Sequence, residues 1–124
     1  MKYKKYYIES SNGYSNCVVR SFCKIYDKSY DDVYNQLVLL SKQLGADNYN
    51  DIVVFETYMK KHQTFKIESL KNKVKDLELK HGEYIVFCYD KKDFYHMIPI
   101  INGTIYDKND DCLELFVIDV YRKE

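Results

Sequence analysis

The dipeptide Asn102-Gly103 constrains this chain more than any other feature. It stands between two apolar runs, residues 94–101 and 104–107. Asn-Gly supplies the pair of positive-φ residues that a two-residue type I′ hairpin needs, and that turn matches the twist of the strands it joins. Such a loop sets the register: Ile101 opposite Thr104, Ile100 opposite Ile105, Ile98 opposite Asp107. Alternation then puts His96, Ile98, Ile100, Ile105 and Asp107 on one face of the sheet. His96 becomes a diagonal neighbour of Asp107, about 7–8 Å away at the backbone, a gap that an imidazole and a carboxylate can close. The carboxylate would hold one ring nitrogen and leave the other free. Pro99 interrupts the first of the two strands. It has no N–H to offer Tyr106, and a bulge there would turn His96 to the opposite face.

The neighbouring stretches extend the sheet. Residues 84–89 are apolar on both faces, which predicts a central strand. Residues 90–93 and 108–111 are turns, and residues 113–121 form the last strand. The first half of the chain has the helical period instead. A first helix runs from Cys17 to about Tyr26 on Val18, Phe22 and Ile25. A second follows the capping box of Ser29 to Asp32, with Tyr30, Val33, Leu37, Leu40 and Leu44 as its buried stripe and Gly45 as its stop. A third, capped by Asn50, buries Ile52, Phe55 and Met59. Residues 3–8 read as a short strand or extended arm, and 64–67 as a short strand. Residues 71–79 read as a short surface helix that buries Val74 and Leu77. The expectation is one α+β domain over 1–124, with helices at about 17–62 packed on an antiparallel sheet at about 83–121.

Composition narrows the function classes. Lysine plus arginine equals aspartate plus glutamate, so the net charge is zero and no basic excess exists to neutralise phosphates. The 14 tyrosines and 6 phenylalanines are therefore read as packing residues, and no nucleic-acid partner is expected. The start lacks the apolar stretch of a signal peptide, and no run is long enough to span a membrane. A cytoplasmic protein with no membrane partner is the expectation. Its four cysteines are then reduced thiols, and with no Cys-x-x-Cys pair and scattered histidines neither a metal nor a cofactor is expected.

The segment from Asn12 to Arg20 carries the chemistry. The Asn12-Gly13 turn and the capping residues Ser15 and Asn16 put Cys17 in the first turn of a helix. There, unpaired N–H groups and the helix dipole favour a thiolate. A cysteine at a helix start is most often a small buried residue, as His96 and Asp107 taken singly are most often structural. Their joint fit to one geometry makes Cys17, His96 and Asp107 the candidate nucleophile, base and orienting acid. The Cys17 N–H, with a donor from the preceding loop, would form the oxyanion hole. Asn12 is the first candidate for that donor, with Ser11 and Asn16 as alternatives, although Asn16 is more simply the helix cap. Cys23, Cys88 and Cys112 read as core or near-surface thiols, His62 and His81 as solvated side chains, and Arg20 as the partner of Asp31 or Asp32.

These residues resemble small bacterial and phage proteins of the papain-like cysteine peptidase superfamily. There, Asn-x-Cys-Val-Val-Arg-Ala opens the first helix and Lys-Ser-Tyr-x-x-Val-Tyr the second. This chain has Asn16-Cys17-Val18-Val19-Arg20-Ser21 and Lys28-Ser29-Tyr30-Asp31-Asp32-Val33-Tyr34. His96, Gly103, Tyr106 and Asp107 repeat the family's His-to-Asp spacing, and Gly82 to Val86 is similar to the strand before its histidine. The chain departs from the pattern at Asn16, where an Asp is usual, and at Pro99. The resemblance implies a minimal papain-like fold with Cys17, His96 and Asp107 in the catalytic positions, acting on a peptide or protein substrate. The rival expectation is an inactive papain-like binding module, phage- or host-derived, that occupies a protein partner.

Overall fold

A computed structural model of the chain describes residues 1–8, 16–68, 72–90 and 94–124. Their elements, in order, are β1 (Lys2–Lys5), α1 (Cys17–Tyr26), α2 (Tyr30–Leu44), α3 (Ile52–Lys61), β2 (Thr64–Glu68), β3 (Glu83–Tyr89), β4 (Tyr95–Ile101), β5 (Thr104–Asp107) and β6 (Phe116–Lys123). The strands form one sheet in the order β1-β5-β4-β3-β6-β2. Only β1 lies parallel to its neighbour, β5; the other described pairs are antiparallel. The α+β class is as expected, and the three helices precede every strand but β1. The sheet is wider than 83–121, because β1 and β2 close its two ends.

The three helices cover one face. Val19, Phe22, Val33, Leu37, Val54 and Met59 pack there against Ile85, Phe87, Met97 and Tyr121 of the sheet. The alternate residues of the same strands, among them Val86, Cys88, Ile98, Ile100 and Ile105, face a second cluster. Val74, Leu77 and Cys112 from irregular segments complete that cluster. β3 is central and buried on both faces, as its unbroken apolar run requires.

Several local expectations shift. α1 is buried nearly all round, including Arg20 and Ser21, because it lies between the sheet and the other two helices. In α2 the stripe holds as far as Leu40. Leu44, the last helical residue, is 42% exposed, and Ala46 packs on the core beyond it. In α3 the capping position belongs to Asp51, and Ile52 faces out while Val54, Phe55, Tyr58 and Met59 turn in. Of the expected helix over 71–79, residues 72–79 are described and form no α-helix. Val74 N–H donates to the Leu115 carbonyl and Val117 N–H to that of Asn72, so β6 and the residue before it take bonds a helix would have used. Only a 3-10 turn, Val74–Asp76, remains, with Val74 and Leu77 buried as expected. A second 3-10 turn, Asp110–Glu114, delays β6 to Phe116.

The hairpin turns as its sequence demands. Asn102 has φ 50° and Gly103 φ 80°, Ile101 pairs with Thr104 and Ile100 with Ile105. The ladder stops there. Pro99 has no N–H to extend it, and Tyr106 and Asp107 pair with Lys4 and Lys5 of β1 on their other side. On the β3 side β4 runs without a register shift from Ile101 to Tyr95, so Pro99 causes no bulge and His96 keeps the parity of Ile98 and Ile100.

Candidate active site

The edge of β4 beyond Pro99 is where the site forms. Freed from β5, the strand meets the start of α1. Met97 gives its carbonyl to Ser21 Oγ at 3.1 Å and its N–H to the Cys17 thiol. Asn16 caps the helix, its Oδ1 accepting the Val18 N–H at 2.8 Å, which fixes Cys17 as the first helical residue. The face that carries His96 is the one with Ile98 and Ile100. The helix lies on the opposite face, and Cys17 and His96 meet at the strand edge between the two.

His96 Nε2 and Asp107 Oδ2 are 2.7 Å apart. With Nε2 so engaged, Nδ1 is the nitrogen left for the thiol, and Cys17 and His96 are hydrogen-bonded side chain to side chain. Asp107 Oδ1 accepts the Lys108 N–H at 2.8 Å and lies 3.5 Å from Arg20 Nη2. The Asp107 carbonyl is held as well, by the Tyr6 N–H at 2.8 Å and the Tyr3 hydroxyl at 2.8 Å. The acid is thus fixed at both its backbone and its side chain.

These contacts decide the protonation states. Burial alone would push the Cys17 thiol up. The His96 hydrogen bond and charge, the Met97 N–H and the Arg20 charge outweigh it and hold the thiol below its ordinary value. Burial would likewise lower His96, but its bonds to Asp107 and Cys17 raise it to about 9. Asp107, despite burial, is held below the ordinary carboxylate value by His96, the Lys108 N–H and Arg20. The other three thiols go the opposite way: burial raises Cys23 to about 11 and Cys112 to about 12, and pushes Cys88 up further.

Two grooves flank the pair. One, of about 320 Å³, is lined by Cys17, Val18, Ile52, Phe55, Phe87 and Tyr95 and is mainly apolar. The other, of about 430 Å³, holds His96 and Asp107 with Arg20, Phe94, Lys108 and Asn109 among its walls. Phe94 stacks on the His96 ring at 5.7 Å between centroids.

Of the expected site residues, Cys17, His96 and Asp107 converge. Asn16 is spent on the helix cap through its oxygen, leaving only its NH₂ end as a donor. Asn12, and with it Ser11, lies outside the described residues. The Cys17 N–H, in the first turn, has no carbonyl one turn back to bond within the helix. Arg20 meets Asp107, a contact that sequence reasoning missed. Its position one helical turn beyond Cys17 was the signal, since residues three apart share a face. Cys88 was missed too: its thiol donates to the His96 carbonyl at 3.3 Å. Among the described residues no group of three or more His, Cys, Asp or Glu side chains is arranged to hold a metal, and no helix is long and apolar enough to cross a membrane. Compared with known proteins, the chain matches no family model, no curated protein and no solved structure.

Proposed function

We propose that this chain is a small papain-like thiol hydrolase that cleaves a peptide or isopeptide bond. One observation carries the reading: Cys17, His96 and Asp107, from a helix start and two strands, form a continuous hydrogen-bonded relay. The thiolate attacks the carbonyl carbon, and the Cys17 N–H at the head of α1 stabilises the oxyanion. The His96 imidazolium gives its proton to the leaving amine, and a thioester to Cys17 remains. His96, now neutral, takes a proton from water, whose oxygen attacks the thioester, releasing the acid and restoring the thiol pair. Because His96 must reach the leaving amine, the groove on its side receives the leaving half. The apolar groove beside Cys17 receives the acyl half.

Iodoacetamide labelling at pH 6, mapped by mass spectrometry, tests the first step. Cys17 is expected to label at least tenfold faster than Cys23, Cys88 or Cys112, and His96→Ala to abolish the difference. Equal labelling of all four thiols would sink the reading. Turnover is tested by incubating a mixed peptide pool with wild type and Cys17→Ser: new termini are expected with wild type alone. Fast labelling without any cleavage would leave a reactive thiol but no hydrolase.

A further inference from the structure

Arg20 is a costly residue for its place. It sits on a helix packed between sheet and helices, and is 8% exposed. A buried guanidinium is strongly unfavourable unless it is paired. Its Nη2 lies 3.5 Å from Asp107 Oδ1, on the carboxylate oxygen that His96 does not use. The Arg20 carbonyl accepts the Tyr6 hydroxyl at 3.3 Å, which ties this turn of α1 to the segment after β1.

The charges explain why a cation belongs there. In the attacking state Cys17 is negative, His96 positive and Asp107 negative, a surplus of one negative charge in a largely dry space. With Arg20 the sum is zero. We propose that Arg20 is a positioning residue, held against Asp107, that balances the charge of the thiolate–imidazolium pair and so sets the pH range in which that pair exists. The inference rests on the thiol-hydrolase reading above.

The groups facing this quartet are Tyr3 and Tyr6 from the amino-terminal arm, Cys88 from β3, Asp90 just after it, and Lys108, Asp110, Asp111, Cys112 and Glu114 from the segment after β5. Burial keeps Tyr6, Cys88 and Cys112 neutral across the range that matters, with Tyr6 pushed up to about 12. The charged groups Asp90, Lys108, Asp110, Asp111 and Glu114 are the same in wild type and variant, so the difference between the two still reports Arg20.

Removing Arg20 has a signed consequence. The thiolate loses a nearby positive charge, so a higher pH is needed to form it. The imidazolium loses a repelling neighbour and feels an unbalanced Asp107, so a higher pH is needed to discharge it. Both transitions move up together. A merely structural role would reduce stability and leave both transitions where they are.

The experiment follows Cys17 thiolate by ultraviolet absorbance against pH, each variant referenced to its own Cys17→Ser form, and His96 by its proton resonance. In Arg20→Gln both transitions are expected to rise by about half to one pH unit, and in Arg20→Lys to return most of the way. The same substitution is made in an Asp107→Asn background, where no buried carboxylate is left unpaired. There too Arg20→Gln is expected to raise both transitions, so a failure of the single variant to fold leaves the question answerable. Transitions unmoved in either folded background, or a fall in the His96 transition, overturn the role of Arg20. If wild-type Cys17 forms thiolate only at ordinary thiol pH, and His96→Ala does not change that, the hydrolase reading itself is lost.

Discussion

At the scale of single residues, neighbours within a few ångströms decide what each titrating group does. Four thiols share one chain, and only the one beside an imidazole, a backbone N–H and a guanidinium is driven toward the anion. The same contacts make His96 a pH-dependent contributor to stability. Its folded value is raised, so its contribution is complete below 6.5, the unperturbed value, and is lost as the pH climbs through about 9. The loss is on the order of 3 kcal/mol. Urea midpoints of wild type and His96→Gln are therefore expected to converge between those two pH values, and curves that stay parallel would show that His96 is not held charged. Cys17, His96 and Asp107 were legible in the sequence because a cap signal, a strand parity and a turn register each act over short range. The partner of Arg20 was not: Asp31 and Asp32 stand nearer along the chain, and only the packing of α1 on the sheet brings Asp107 to it.

At the scale of elements, the helix start is the part under most demand. Asn16 must cap α1 and, in doing so, aim Cys17 at the β4 edge. Asn16→Ala is expected to cost about 1 kcal/mol in thermal or urea unfolding. It is also expected to slow Cys17 labelling several-fold at pH 6, as the first turn frays. Unchanged labelling with the stability loss present would separate the cap from the thiol. Helices and strands with a clear period were readable, including the α2 cap at Ser29 and the type I′ turn. Their ends and exposures were less so. Periodicity places Leu44 and Ile52 on an apolar stripe, but does not say where the neighbouring element stops. Residues 71–79 carried an apolar spacing that suits a helix, yet Asn72 and Val74 bond to Val117 and Leu115 at the start of β6, a competitor invisible in a local window. Pro99 was visible as a threat to the register. Its actual effect is to end the β4–β5 ladder and free an edge for α1.

At the scale of the molecule, the sheet stands between two cores, and α1 is the layer that joins chemistry to stability. Phe22 is wholly buried and stacks on Tyr58 at 4.7 Å between ring centroids. Phe22→Ala is expected to destabilise the fold by about 3–5 kcal/mol in urea titration; a loss under about 1 kcal/mol would mean the helical layer is not one packed unit. The class and the order of layers followed from helical period first and strand period second. The parallel pairing of β1 with β5 could not be read, because a short edge strand carries no signal naming its neighbour. The three site residues are far apart along the sequence: Cys17 early, His96 and Asp107 late. A growing polypeptide therefore carries Cys17 without these partners until β4 and β5 have been made and docked.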